Sequence, residues 1–406
     1  MTPQTRTGRV RLASPGFVVL VLLVPTLLAT PGLDEGPAVL FTYEVMAAMH
    51  RTSPSGTTID IHGDKVGIAW TDVSLDLGLS SYRTEILVRD GAITHRMSVP
   101  WASWQTSAFD SQGRYHVLTL DRSALYWADS YVTTWSNGTW TTRFLATAEG
   151  QLKPDAFVHD GVPYFAVPMY QFPGEEPYGR IYRLNMDTDE WEVVTNLPVH
   201  MGRVRATADL EGRIHIIHKE GPNVDFYSIY ANGTWTTQLA PYNSGWSEAQ
   251  DIAIDENGRP VFAYAEGSGR IVRFVRMMPE GGYVDELVST RKGWDHALAV
   301  APDGVVHLTT TYWNGISYWP GDTTTYYHVR SREGVWSSQA MWPISAHFYP
   351  DMTLDDAGYP AIALPNNRNQ DLLATPAGKA VTSIVLARGG AAHAAGVASV
   401  GSGLLG

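Results

Sequence analysis

Acids, amides, bases and aromatics gather at six unlike places along the chain: Trp104 and Gln105; Lys153 and Asp155; Arg203 and Arg205; Glu248, Gln250 and Asp251; Trp294, Asp295 and His296; His347, Tyr349 and Asp351. These types suit two kinds of chemistry. In a lyase, Tyr349 or His296 could remove a proton from a sugar carbon while Arg203 or Arg205 neutralises the neighbouring carboxylate. In a binding site, Trp104, Trp294, Glu248, Asp251, Asp295, His347 and Asp351 could stack on sugar rings and bond their hydroxyls. Two aromatic-rich stretches add candidates: 168–180, and 312–325 with Trp313, Tyr318 and Trp319; Tyr126 and Trp127 form a third patch. The competing role for such large rings is packing between neighbouring elements.

Metal chemistry finds little support. The chain has no Cys, which removes thiolate ligands, disulfides and a cysteine nucleophile. No pair such as H-E-x-x-H occurs, and Asp255-Glu-Asn257-Gly258 lacks the further ligands of a calcium loop. The expectation is no metal and no cofactor. Asn137 and Asn232 begin N-x-T sequons, but both fall where a repeated turn falls.

The elements that must carry these residues repeat. A small residue, an Asp and a Gly recur at 58–63 (TIDIHG), 108–113 (AFDSQG), 156–161 (AFVHDG), 207–212 (TADLEG), 253–258 (AIDENG), 299–304 (AVAPDG) and 353–358 (TLDDAG). The mean spacing of the Gly residues is about 49, a period in the propeller range. Five residues before the Gly stand Thr58, Ala108, Ala156, Thr207, Ala253, Ala299 and Thr353, all small, as strands crowding a central axis require. Three before it stand Asp60, Asp110, Asp209, Asp255 and Asp355, placed to cap the amides of a turn at which Gly supplies positive φ. His116, His215 and His307 fall three residues after the Gly and read as strand positions. A second turn followed by an aromatic comes later in five units, at Asn137 to Trp140, Asp187 to Trp191, Asn232 to Trp235, Glu280 to Tyr283 and Glu333 to Trp336. Two hairpins per unit make a four-stranded blade. The expected fold is all-β, a seven-bladed β-propeller of four-stranded antiparallel blades over residues 38–388, with six or eight blades as the alternatives because the first and last units are irregular. The Gly/Ala-rich stretch 389–406 is low in complexity and reads as a tail.

At the N-terminus, Arg6, Arg9 and Arg11 precede the apolar run 17–28 (FVVLVLLVPTLL). That is the layout of a secretory signal, here 1–30, with an uncleaved signal anchor as the alternative. Removing 1–30 takes three Arg and no acid from a chain of net charge −12, leaving −15. Such an acidic protein is a poor partner for nucleic acid. The expected location is extracytoplasmic, with membrane contact only through 17–28.

The repeat resembles the secreted sialidase-like propellers (Asp-box, or BNR-type). Their box, Ser-x-Asp-x-Gly-x-x-Trp, lies on an outer hairpin. Here Trp follows Gly by two, as in Gly138 to Trp140 and Gly233 to Trp235, and the Ser and Asp are mostly missing. The resemblance implies the propeller fold and ligand binding at the axial end where chains lead into the innermost strands. Its sialidase form implies an arginine triad and an Arg-Ile-Pro motif. Arg180, Arg213 and Arg270 are each followed by Ile, but none by Pro. Three functions therefore stand: a glycan- or protein-binding module; a polysaccharide-cleaving enzyme, lyase or hydrolase, with an axial site; and a structural module of an envelope.

Overall fold

The computed structural model describes residues 39–50, 52–74, 81–121, 127–149, 153–168, 179–198, 204–220, 224–242, 250–266, 271–313, 323–341, 350–366 and 381–391. Among these, all regular structure is β. One four-stranded sheet joins β2 (Thr52–His62), β3 (Lys65–Ser74), β4 (Ser81–Asp90) and β5 (Ile93–Pro100) in chain order. The next three join β6 (Ala102–Phe109) to β9 (Thr139–Glu149) through β7 (Tyr115–Asp121) and β8 (Trp127–Ser136); β10 (Asp155–His159) to β13 (Glu190–Asn196) through β11 (Val162–Pro168) and β12 (Gly179–Asn185); and β14 (Val204–Ala208) to β17 (Thr234–Leu239) through β15 (Ile214–Glu220) and β16 (Val224–Ala231). A seven-stranded sheet runs from β18 (Gln250–Ile254) through β19 (Pro260–Glu266), β20 (Ile271–Met277), β21 (Tyr283–Val300), β22 (Val306–Trp313) and β23 (Thr323–Arg330) to β24 (Trp336–Ala340). The sixth sheet contains both ends of the described chain. Its order is β1 (Val39–His50), β27 (Val381–Ala391), β26 (Pro360–Asn366), β25 (Asp351–Leu354).

All pairings are antiparallel, as two-residue and four-residue hairpins allow. β1 pairs along β27 from Val39–Ala391 to His50–Val381, so the N-terminal strand closes the last sheet. β27 runs past 388, and Gly389 and Gly390 pair with Phe41 and Leu40. The innermost strands touch in cyclic order, β2 to β6, β10, β14, β18, β21 and β25, and β25 returns to β2. The core follows the same circle. Trp70, Ile68, Ile384 and Leu386 join the first sheet to the last, and Phe109, Tyr115, Ile86 and Trp135 join the first to the second. Within the seven-stranded sheet, Val261 and Phe274 of β19 and β20 pack against Leu298 and Leu308 of β21 and β22. Apolar burial is thus distributed through interfaces between sheets, each giving roughly 25 cal/mol per Å² removed from water.

The inner hairpins show why Asp and Gly recur. The Asp209 Oδ1 accepts the amides of Glu211 and Arg213 at 3.0 and 2.9 Å, and Gly212 turns with φ +74°. Asp110, Asp255 and Asp355 do the same. Asp60 does not. The β2–β3 turn has two residues, Gly63 and Asp64, so Asp60 lies inside the ladder opposite Gly67. Its carboxylate accepts from Phe109 of the neighbouring sheet. The shorter turn changes the register, and with it which face receives the side chain.

Candidate axial site

The inner strands enclose a cavity of about 470 Å³ on the axis. Thr58, Ala108, Ala156, Thr207, Ala253, Ala299 and Thr353, the seven small residues of the repeat, all line it. Their size leaves the space open. Toward the end at which chains lead into the inner strands, the lining becomes polar: Gln105, Lys153, Asp155, Arg205, Asp251 and Asp351.

Four carboxylates in this cavity bind neighbouring strands. The Asp155 Oδ2 accepts the Ala206 amide at 2.8 Å, Asp251 that of Leu298 at 2.8 Å, Asp351 that of Ile59 at 2.9 Å, and Asp60 that of Phe109 at 2.5 Å. Each bond crosses from one inner strand to the next, so these acids tie the circle together. Arg205 of β14 lies among them. Its Nη1 donates to Asp155 Oδ1 at 2.8 Å, and its Nε lies 3.6 Å from Asp251 Oδ1. Burial opposes the Arg205 charge, but Asp251, Asp155 and Asp351 outweigh it and raise its pKa. Burial also pushes Asp60 to about 6, against the amide bonds from Phe109 and Ile61. It pushes Asp251 to about 6 against the attraction of Arg205, and raises Asp351. Hydrogen bonds and ion pairs to carboxylates are strong in such surroundings. The consequence is chemical: the Arg205 charge is already compensated and is poorly placed to neutralise a substrate carboxylate.

The sequence candidates separate. Arg205, Asp251 and Asp351 line the cavity, together with Gln105, Lys153 and Asp155. Asp295 and His296 are buried in β21, with 2% and 1% exposure, outside that lining. The His296 Nδ1 meets Thr310 Oγ1 at 3.0 Å. Trp104 and Trp294 are partly buried. Trp104 stands at a β-bulge between Ser103 and Gln105 with φ +51°. Trp313 ends β22, and its ring is outside the described side chains; Arg203, Glu248, Tyr318, Trp319, His347 and Tyr349 lie outside the described residues. Of the four residues named for elimination chemistry, the two described ones, Arg205 and His296, are therefore not together in the axial lining.

A polar cluster in β21–β24 was not anticipated. The Arg291 Nη1 donates to the Tyr326 hydroxyl, and its guanidinium lies 4.5 Å from the centre of that ring. Packed against the Tyr326 ring, the Tyr312 hydroxyl meets His328 Nε2 at 2.9 Å, and His328 Nδ1 meets Ser338 Oγ at 2.6 Å. Burial lowers His328 to about 3, so it stays neutral. These positions are not shared between repeat units, and only pairing of β22, β23 and β24 brings them together. Among the described residues no group of three or more His, Asp or Glu is placed to hold a metal ion.

Several solved structures are similar to this chain in fold. A polysaccharide lyase crystal structure superposes with a TM-score of 0.52 at 11% identity, covering 82% of this chain and 90% of the lyase. A Hadza microbial sialidase gives 0.47 at 13% identity over 78% of this chain and 74% of the sialidase. A six-bladed fungal lectin from Aleuria aurantia gives 0.43 at 11% identity over 71% and 95%. No family model matches the chain, and no curated protein matches it in sequence. At this identity the likeness to the lyase bears on the fold alone.

Proposed function

We propose that the chain is a seven-bladed propeller that binds a glycan at the lead-in end of its axis. The seven-stranded sheet is read as two blades sharing β21, whose first half pairs with β20 and second half with β22. Packing of Phe274 and Val261 against Leu298 and Leu308 supports that division. The propeller runs from 38 to the end of β27 at 391, three residues beyond the boundary the sequence suggested; residues 1–30 direct export, and the protein works outside the cytoplasm. No helix among the described residues is long and apolar enough to cross a membrane.

The observation that carries the binding role is the axial cavity itself, about 470 Å³ and polar at one end, with Arg205 held between Asp155 and Asp251. Space of this size suits the end of a sugar chain. The compensated arginine argues against recognition of an acidic sugar through Arg205. A second reading, polysaccharide cleavage, has one observation in its favour: the Arg291–Tyr326 pair, which sets a guanidinium against a phenol hydroxyl, the two group types that elimination chemistry uses. A glycan array, run beside assays for reducing ends and for 235-nm unsaturated product, separates the two. Binding without product supports the module; product supports the enzyme. Ala299→Trp, which sets an indole into the axial cavity, abolishes binding if the axis is the site. Silence in every assay refutes both readings and leaves a protein-binding or structural role in an envelope.

A further inference from the structure

Two tryptophans near the lead-in end hold backbone conformations that bulky residues seldom adopt. Trp101, the single residue between β5 and β6, has φ +60°, and Trp104 has φ +51°. Left-handed backbone at a large side chain is strained and tends to occur where function requires it. Trp101 also leaves 55% of its surface exposed, so the core does not account for its size. The next residues connect it to the axis: Trp104 precedes Gln105, which lines the cavity. Gln105 is fixed by Thr71 Oγ1, which donates to its Oε1 at 2.6 Å, while its own Nε2 donates to the Gly56 carbonyl at 2.5 Å. From Gln105 to Trp101 is four residues, at most about 13 Å of extended strand.

The charges beside this strip leave no positive excess: Asp121 pairs with Ala102 on one side of Trp101. Pro100, next to Trp101, pairs with Arg83. The Arg83 guanidinium is half exposed and bound to the buried Asp72 at 2.6 Å and to Glu85 at 3.0 Å. Arg96 meets Glu85 at 3.1 Å. Two arginines thus face two acids. The guanidinium is held rigidly and can donate to hydroxyls, but its charge is spent and offers nothing further to an anion. An exposed indole one residue along the chain from a strand pair that carries fixed, neutralised donors suits the apolar face and hydroxyl edge of an uncharged sugar.

We infer that Trp101 is a stacking subsite for a neutral pyranose ring of the same glycan whose end enters the axial cavity. The inference rests on the glycan-binding reading. It predicts a preference for uncharged over acidic oligosaccharides.

The test is calorimetric titration of the purified chain with cellohexaose, xylohexaose and mannohexaose, and with a hexagalacturonate and sialyllactose as acidic probes. The expected result is binding of a neutral probe, a tenfold or greater loss in Trp101→Ala, and a loss under threefold in Trp101→Phe, with melting temperatures of both variants within about 3 °C of the wild type because the indole is mostly exposed. Wild-type affinity in Trp101→Ala, with binding abolished by Ala299→Trp, overturns the subsite and leaves the axial site standing. Preference for an acidic probe overturns the neutral-sugar assignment. A large fall in melting temperature for Trp101→Ala makes the indole structural and overturns the subsite. Failure of the wild type to bind any probe, here and on the glycan array, refutes the glycan reading and the subsite with it.

Discussion

Ala301→Asp should stabilise the protein, because one hairpin lacks a part that its counterparts possess. In β14–β15 the Asp209 carboxylate caps two turn amides and receives His215 Nε2 at 3.0 Å, while His215 Nδ1 meets the Tyr227 hydroxyl at 2.6 Å. Asp110 and His116 repeat the pair at 3.0 Å. In β21–β22 the backbone turn is the same: the Ala301 amide donates to Val305 and the Gly304 amide to Ala301, at 2.8 and 2.9 Å. His307 meets the Tyr327 hydroxyl at 2.5 Å, as His215 meets Tyr227. The carboxylate is missing, and His307 Nε2 is buried with no hydrogen-bond partner among the described residues. Asp at 301 would accept the amides of Asp303 and Val305 and satisfy that nitrogen. A hydrogen bond to a charged group contributes about 1.5–3 kcal/mol and a neutral amide bond about 1. Against these stand the bond that the Val305 amide now donates to Asp303 Oδ1 at 3.2 Å and the burial of a new carboxylate. A net gain of about 2 kcal/mol corresponds, for a chain of this size, to a melting temperature higher by about 2–3 °C. The gain has a pH signature. Burial lowers His307 to about 4, below its unfolded value, so in the wild type stability is lost as pH falls through that range. A neighbouring carboxylate raises the folded pKa, and the advantage of the variant should grow from pH 7.5 to pH 5. Calorimetric melting at both pH values measures it. A lower melting temperature at both, or a gain independent of pH, would refute the pairing argument.

Other perturbations test the axis and the core. Arg205→Met leaves Asp155 and Asp251 buried without their cation and should cost about 3–5 kcal/mol at pH 8; the loss should shrink at pH 5, where the acids can protonate, and equal losses at the two pH values would contradict the ion-pair account. Asp60 has a folded pKa of about 6, above its unfolded value. Its contribution is therefore fully present below about pH 4 and lost as pH rises through 6, by up to about 3 kcal/mol. Asp60→Asn should accordingly gain on the wild type in melting temperature from pH 4 to pH 7, whatever its offset from the lost bonds; a constant difference would argue against a raised Asp60. A Cβ at Gly67 would lie 2.3 Å from the Tyr115 ring. Gly67→Ala should cost several kcal/mol by overpacking, and Tyr115→Leu in that background should recover part of it; additive losses would show that the two do not share the space.

Much of the fold was legible because its cause is local. Small residues five before each Gly belong to strands around a crowded axis, and all seven line the cavity. Asp three before the Gly caps the turn wherever the turn has four residues. Asp60 matched that pattern on paper but departed from it, since one shorter turn changes which amides lie within reach. The site was legible only in part. The lead-in positions stood out as unlike each other, but the pattern did not distinguish an acid that meets a ligand from one that meets a backbone amide. Asp155, Asp251 and Asp351 have amide partners 51, 47 and 292 residues away.

By itself, then, the sequence determined what depends on neighbours within a repeat: the strands, their turns, the all-β class and the small residues that keep the axis open. The tertiary structure decided what depends on closure. It paired β1 with β27 across almost the whole chain, a register for which no local pattern exists. It assigned Arg205 to carboxylates before any ligand, and it moved His296 off the axial lining. Those outcomes turn on which side chains meet when the inner strands close into a circle, and short-range polar forces act only after that meeting has been arranged by burial between the sheets.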